Sequence, residues 1–366
     1  MRVLVVDDSA LVRMAVSDIL SKAGIEVIDT AKNGKEAVEK TLKLKPDVVT
    51  LDIKMPVMDG LTALKLIMEK QPTPVVMLSS LTKEGAKETL EALKLGAVDF
   101  ITKPGGALVD LSSIEQEIVE KVRMAATTSL NILRLQNLKK IKGEVVRGSW
   151  GKKTRDVCVL IGSSTGGPSA LEMIIPRLPA DIPAPVFVVQ HMPPGFTQQL
   201  AERLDNISEV KVKEAENNEK VKDGVVYIAP GGYHMKVRRA TNVVRIKIVD
   251  GEPVNAVKPS VDVTADSVVQ AYGENVVGVI LTGMGEDGAY GMKMIKDRGG
   301  LTIASSEDTC VVFGMPKAAI ELGGIVSVKP VFEIAEEIVR FLEVKLNGGR
   351  YGRVQAGVHS GGKRVS

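Results

Sequence analysis

Residues 3–9 read Val-Leu-Val-Val-Asp-Asp-Ser, four apolar residues in a row that close on two aspartates and a serine. An unbroken β-branched run of that length has no polar face to turn to water, so it reads as a strand of a parallel sheet covered on both sides. The same pattern recurs downstream at 47–51 (DVVTL, followed by Asp52) and 74–78 (PVVML, followed by Ser79). Weaker candidates lie at 26–28 and 97–101. Between them, residues 10–22, 34–44, 59–70 and 83–95 carry apolar residues at three- and four-residue steps, the period of amphipathic helices. Alternating strands and helices predict a doubly wound α/β domain over residues 1–120.

In such a sheet the carboxyl ends of the strands share one edge, where sites form. Asp7 and Asp8 end the first strand, Asp52 the third and Ser79 the fourth, while Lys103 follows the fifth. Any one of these aspartates reads first as a turn or a helix cap; together the five positions read as a site. Three gathered carboxylates call for a divalent cation, and Mg²⁺ suits an oxygen-rich pocket. With a hydroxyl and a lysine beside it, such a pocket could accept a phosphoryl group on a carboxylate. The segments VLVVDDS, PDVVTLDIKMPVMDG, VVMLSS and GAVDFITKP resemble the receiver domain of two-component response regulators. That resemblance implies a flavodoxin-like fold with Asp52 as phosphoacceptor. It implies Mg²⁺ held by Asp7, Asp8, Asp52 and the carbonyl of Lys54, with Lys103 on the phosphoryl group. Ser79 and Phe100 match the hydroxyl–aromatic pair that moves on activation, and Lys103–Pro104 matches a bond commonly cis in that family. A chemotaxis-type histidine kinase would be the phosphodonor.

From about Ser113 to Leu138 the pattern is helical and then fades into a stretch rich in Lys and Arg, with Glu144 its one acidic residue between 134 and 155. Residues 121–154 read as a linker, since a charge run of this kind is most simply a solvated connector. A second α/β pattern fills 155–346. Strand candidates fall at 157–162, 185–190, 225–229, 243–249, 276–282, 301–305 and 325–329, and helices at 169–178, 261–272 and 288–297. It reads as a second doubly wound parallel-sheet domain. Residues 347–366 are glycine-rich, basic and aperiodic, which predicts a flexible tail.

Within the second domain, VLIGSSTGGPSA (159–170) runs strand, glycine loop, helix, and residues 162–166 fit G-x-S-x-G around Ser164. A glycine turn ahead of a helix suits a strained nucleophile. It equally suits a phosphate or dinucleotide. The chain has only three histidines, so a serine mechanism must draw on His191, His234 or His359. His191 follows directly on the strand 185–190, at the same sheet edge as Ser164. His234 sits in a loop-to-strand region and reads as structural, and His359 lies in the tail. ILTGMGEDGAYG repeats the strand, glycine loop, helix pattern and offers Glu286 or Asp287 as a carboxylate to orient a histidine. The chain order Ser, His, Asp differs from that of α/β-hydrolases, but a triad is defined by geometry.

The segments IGSSTGGP, VVQHMPPGFTQQLAERL, VKEAE, VYIAPGGYHM, KPSVDV, VILTGMGEDGAYGM and TCVVFGMPKAAI resemble the catalytic domain of chemotaxis protein-glutamate methylesterases, the CheB family. This implies an α/β serine esterase with Ser164 as nucleophile, His191 as general base and Asp287 as its orienting acid. Thr165 and the amides near Met284 would give support and an oxyanion hole. The implied reaction is hydrolysis of glutamate γ-methyl esters on the cytoplasmic helices of chemoreceptors, with glutamine deamidation as a companion activity. The esterase step itself would use no cofactor.

Bulk properties agree with these readings. The balance of 48 basic and 45 acidic residues (net +3) and an aromatic content of 3% give no electrostatic or stacking case for a nucleic-acid partner. No apolar run reaches the ~20 residues of a membrane span, so no membrane insertion is expected. No secretory signal pattern opens the chain. Cys158 and Cys310 lack zinc spacing and sit in apolar segments, consistent with a reducing, cytoplasmic setting. Nothing demands more than a monomer. Two other classes compete: a receiver-controlled phosphate- or nucleotide-binding module, which would have no need of His191, and a receiver-controlled transcription factor, for which no basic recognition helix is evident.

Overall fold

A computed structural model describes residues 1–104, 111, 114–128, 144–150 and 156–346. The tail at 347–366, His359 and most of the expected linker lie outside the described residues. The chain is α/β throughout, with helices on both faces of two parallel sheets.

The first sheet has strand order β2-β1-β3-β4-β5 and is entirely parallel. Its strands are β1 (Arg2–Val6), β2 (Glu26–Ala31), β3 (Val48–Asp52), β4 (Val75–Ser80) and β5 (Asp99–Lys103). Val3 to Val6 are fully buried, as the unbroken apolar run predicts. The helices are α1 (Ala10–Lys22), α2 (Gly34–Leu44), α3 (Gly60–Lys70), α4 (Lys83–Leu95) and α5 (Glu115–Thr127). The first four start on side-chain caps, Ser9, Asn33, Asp59 and Thr82, each accepting from an amide in the first turn. Such a cap satisfies one otherwise orphaned donor and fixes where the helix begins. α5 falls within the helical pattern read from about Ser113, and Ile118, Val122 and Ala125 on it are buried in the core of the first half.

The second sheet has order β14-β13-β12-β6-β7-β9-β8, seven parallel strands. They are β6 (Cys158–Ser163), β7 (Val186–Gln190), β8 (Lys211–Glu214), β9 (Val225–Ile228), β12 (Val276–Ile280), β13 (Leu301–Ser305) and β14 (Ser327–Lys329). The helices of this half are α6 (Gly167–Ile174), α7 (Phe196–Ile207), α8 (Val261–Tyr272), α9 (Ala289–Asp297), α10 (Met315–Glu321) and α11 (Ile334–Leu346). The strand expected at 243–249 forms, but outside the parallel sheet. β10 (His234–Ala240) and β11 (Val243–Val249) make a separate antiparallel hairpin. Its residues alternate between buried and exposed, since one face packs on α8 and the other meets solvent.

The two halves dock through the β5–α4–α5 side of the first. The Phe100 ring stacks on Phe196 at the start of α7, centroids 5.0 Å apart and planes 4° from parallel. Leu90, Leu93 and Phe100 share an apolar cluster with Phe196 and Leu200. α4 packs against α6 and α7. Arg203 on α7 reaches Glu91 on α4 at 3.3 Å while also pairing with Glu172.

Candidate functional sites

At the carboxyl edge of the first sheet, Asp7, Asp8 and Asp52 bring carboxylate oxygens within 4.8 Å of one another. Lys103 Nζ lies 2.7 Å from Asp7 Oδ2 and 2.6 Å from Asp52 Oδ1. Burial pushes the Asp52 carboxyl up to about 6; Lys103 pulls it down, and the neighbouring Asp7 and Asp8 push it up again. Burial also works against the Lys103 ammonium, but the two carboxylates outweigh it and hold its pKa above the ordinary value. One cation among three acids thus leaves the pocket short of positive charge. That is the donor set a hard divalent ion such as Mg²⁺ fits, with all-oxygen ligands and room for water.

Lys54 directs its side chain away from this pocket to Glu84 (2.9 Å) and Glu88 (3.6 Å), so only its backbone carbonyl is available to the acidic cluster. Ser79 is buried, and its hydroxyl accepts from Thr89 Oγ1 on α4 at 2.7 Å. Phe100, buried under the Lys121 ammonium, faces Phe196. Among the described residues the cis peptide bond is Lys258–Pro259, so Lys103–Pro104 is trans.

The second site forms where β6, β7 and β12 end together. Adjacent strand ends are tied by Gln190, whose Oε1 accepts from Ser163 Oγ (2.7 Å) and whose Nε2 donates to the carbonyls of Ser164 (2.9 Å) and His191 (3.1 Å). The Ser164 amide donates to Thr282 O and the His191 amide to Ser163 O, both at 3.0 Å. Gly167 leaves room for Gln190, because a Cβ there would stand 2.0 Å from Gln190 Oε1. Gly283 plays the same part on the facing loop, where a Cβ would meet Ser164 Cβ at 2.8 Å. These glycines let three strand ends converge on the Ser164 turn.

His191 Nε2 lies 2.8 Å from Asp287 Oδ2, and both side chains are nearly buried. Burial raises the Asp287 pKa, but hydrogen bonds from His191, Ser260 Oγ and the Val261 amide outweigh it and hold the carboxyl below its ordinary value. Asp287 is therefore an anion at neutral pH. Ser164 is half-buried beside this pair, and among the described residues no hydrogen bond joins its hydroxyl to the imidazole. Apo sites commonly leave that bond long until substrate seats. Glu286 is exposed and Asp287 is the carboxylate that reaches the histidine. Met284 is exposed at the rim. The Thr165 hydroxyl donates to Asp99 Oδ2 on β5, across the domain junction, at 2.5 Å.

Sequence reasoning did not single out Gln190, Ser260, Asn255 or Asp99. Gln190 stands one residue before His191 at a strand end, which was a usable signal. Asp99 sits inside an apolar run, and besides Lys121 (3.6 Å) and the Phe100 amide in its own half it takes a partner, Thr165, from across the junction.

Comparison with known proteins follows the same division. Residues 3–113 match the response regulator receiver domain family, and residues 159–338 match the CheB methylesterase family. A protein-glutamate methylesterase/protein-glutamine glutaminase of Archaeoglobus fulgidus is 90% identical over 347 residues, 95% of this chain and 99% of the relative. One of Thermotoga maritima is 49% identical over 344 residues, 93% and 98%. The crystal structure of the Thermotoga maritima CheB methylesterase catalytic domain is 49% identical, covers 51% of this chain and all (100%) of that one, and superposes with a TM-score of 0.51. With its acidic pocket in the first half and its histidine–aspartate pair in the second, the chain belongs to the CheB protein-glutamate methylesterase family, a receiver domain followed by a methylesterase domain.

Proposed function

We propose that this methylesterase hydrolyses glutamate γ-methyl esters on the cytoplasmic helices of chemoreceptors with Ser164, His191 and Asp287, under the control of phosphorylation at Asp52. The observation that carries the chemistry is the 2.8 Å pairing of His191 Nε2 with an ionised, buried Asp287 beside the Ser164 turn. An ionised carboxylate only accepts, so Nε2 carries the proton and Nδ1 is left as the base. The usual serine-protease arrangement uses the ring the other way round, with Nδ1 on the carboxylate. Nδ1 takes the Ser164 proton as Oγ attacks the ester carbonyl, and the imidazolium returns it to the departing methanol. Water, deprotonated by the same nitrogen, then cleaves the acyl-enzyme and frees the glutamate side chain. On a glutamine side chain the same attack expels ammonia, the glutaminase activity in the names of the relatives. The Met284 amide has no hydrogen-bond partner among the described residues, which supports its use as an oxyanion donor.

Control runs through the junction. Thr165, next to the nucleophile, is bonded to Asp99, and Phe196, five positions after His191, is covered by Phe100. Docking in this form would restrain the turn and cover its edge. Bound Mg²⁺ at Asp7, Asp8 and Asp52 would supply charge neutralisation for phosphoryl transfer. Phosphate on Asp52 would compete for Lys103 and draw Ser79 from Thr89, which favours another setting of Phe100 and loosens the junction. A chemotaxis histidine kinase fits as donor. Among the described residues no helix is long and apolar enough to cross a membrane, which suits action on the cytoplasmic parts of receptors.

The chemistry is tested by methanol release from methylated receptor membranes. Wild type should release it and Ser164→Ala should not; equal release by the two would overturn the assignment of the nucleophile.

A further inference from the structure

Asp287 is held by more than His191. Its Oδ1 accepts from Ser260 Oγ at 2.7 Å, from Asn255 Nδ2 at 3.0 Å and from the Asp262 amide at 3.3 Å. Its Oδ2, besides facing His191, accepts from the Val261 amide at 2.6 Å. The carboxylate thus occupies the N-terminus of α8, where free amides and the helix dipole favour an anion. Ser260 is the N-cap of that helix and is fully buried. Its oxygen accepts from the Val263 amide while its hydroxyl proton goes to Asp287. One side chain therefore joins the helix start to the acid that aims the histidine.

Ser260 is itself fixed by the second histidine. Its amide donates to His234 Nδ1 at 3.2 Å, and His234 Nε2 faces the Glu252 carbonyl at 2.9 Å. Nδ1 must then be the bare nitrogen and Nε2 the protonated one, so the ring has a single tautomer compatible with both bonds. His234 is buried at 4% exposure. The residue that reads from sequence as merely structural is a link in the chain His234, Ser260, Asp287, His191.

We propose that Ser260 is a positioning residue of the esterase, with His234 behind it. Both act through Asp287, which they hold in one orientation toward His191. The inference rests on the reading of Ser164, His191 and Asp287 as the hydrolytic set.

Removing one hydrogen bond to a carboxylate that orients the base should cost about tenfold to a hundredfold in kcat. The test uses the full-length protein, methylated receptor membranes and the variants Ser164→Ala, Ser260→Ala, Ser260→Thr and Ser260→Gly. Glycine is well tolerated at an N-cap but has no hydroxyl to donate to Asp287, so it separates helix capping from positioning. Ser260→Ala and Ser260→Gly should lose kcat by that factor with KM within about twofold, while Ser260→Thr, which restores cap and donor, recovers most of it. In proton NMR of selectively labelled histidine, the downfield His191 Nε2–H signal should weaken or shift in Ser260→Ala and return in Ser260→Thr. At His234, asparagine keeps an acceptor near the Nδ1 position and glutamine does not, so His234→Asn should retain more activity than His234→Gln. Wild-type kcat in Ser260→Ala and Ser260→Gly, with Ser164→Ala dead, would overturn this inference alone. So would losses that simply follow melting temperature across all the variants. Activity in Ser164→Ala would instead overturn the reading beneath it.

Discussion

At the scale of single residues, Asp52 and Asp287, two of the buried aspartates, are shifted in opposite directions, and each direction has a measurable consequence. The folded-state pKa of Asp287 is depressed, so its contribution to stability is present above the ordinary carboxylate value of 3.8 and lost as pH falls through the lower folded value. Asp287→Asn cannot accept from all the donors that converge there. Its deficit in urea unfolding should be largest near neutral pH and shrink toward pH 3. Activity at neutral pH should fall by about 10²–10⁴, the range expected when a histidine loses its orienting acid. Asp52 is the reverse case. Its folded pKa of about 6 lies above the ordinary 3.8, so the native state binds the extra proton and loses that stabilisation as pH rises from about 4 to 6. Asp52→Asn should therefore be more stable than wild type at pH 7.5, by on the order of 2–3 kcal/mol, and close to it at pH 4. Mg²⁺ should raise the melting temperature of wild type at pH 7.5 and move Asp52→Asn much less. A melting series across pH with and without Mg²⁺ checks both statements.

At the scale of elements, the Ser164 turn depends on absent side chains as much as on present ones. Gly167→Ala would push a methyl into Gln190 Oε1 and break the tie that holds β6 to β7. The expected outcome is a loss of about 1–3 kcal/mol in stability. A larger fractional loss in kcat than in fold should accompany it, read from denaturation and methanol release on the same preparation. How much of this was legible in the sequence varies with element type. Helices 10–22, 34–44, 83–95 and 261–272 are read to the residue, because each begins on a cap and carries a clean apolar stripe. The parallel strands are equally clear, being buried on both faces. β8 and β10 escaped notice, and β11 was read as one more strand of the main sheet. They are short or alternating, and a half-exposed alternating strand does not announce which sheet it joins. Ser164 and His191 stand at strand ends and could be brought together from topology alone, whereas the choice of Asp287 over Glu286 rests on the family resemblance. Ser260 and Asn255 could not, since their value comes from a loop and helix start folded back onto Asp287 from more than twenty residues away in sequence.

At the scale of the whole molecule, the junction is a small set of contacts between the receiver domain and the turn proposed to carry the nucleophile. The Arg203–Glu91 pair is part-exposed, and ion pairs of that kind contribute about 0–1 kcal/mol. Phe100 against Phe196 and Asp99 against Thr165 are buried, so the proposed coupling would run through them. Phe100→Ala should raise the basal rate of methanol release without a phosphodonor while leaving KM for receptor membranes nearly unchanged. A shift of tenfold needs only about 1.4 kcal/mol of differential stability, well within what one buried ring supplies. A steady-state rate comparison of the unphosphorylated proteins reads this directly.

Above all we propose that the receiver restrains Ser164 chemistry and that phosphate on Asp52 lifts the restraint. The most direct measurement is the rate of methanol release from methylated receptor membranes before and after addition of acetyl phosphate with Mg²⁺, for wild type, Asp52→Asn and Phe100→Ala. Wild type should be strongly stimulated and Asp52→Asn not at all, with a Phe100→Ala basal rate already near the stimulated wild-type value. Equal stimulation of wild type and Asp52→Asn, or a Phe100→Ala basal rate no higher than that of unphosphorylated wild type, would contradict it.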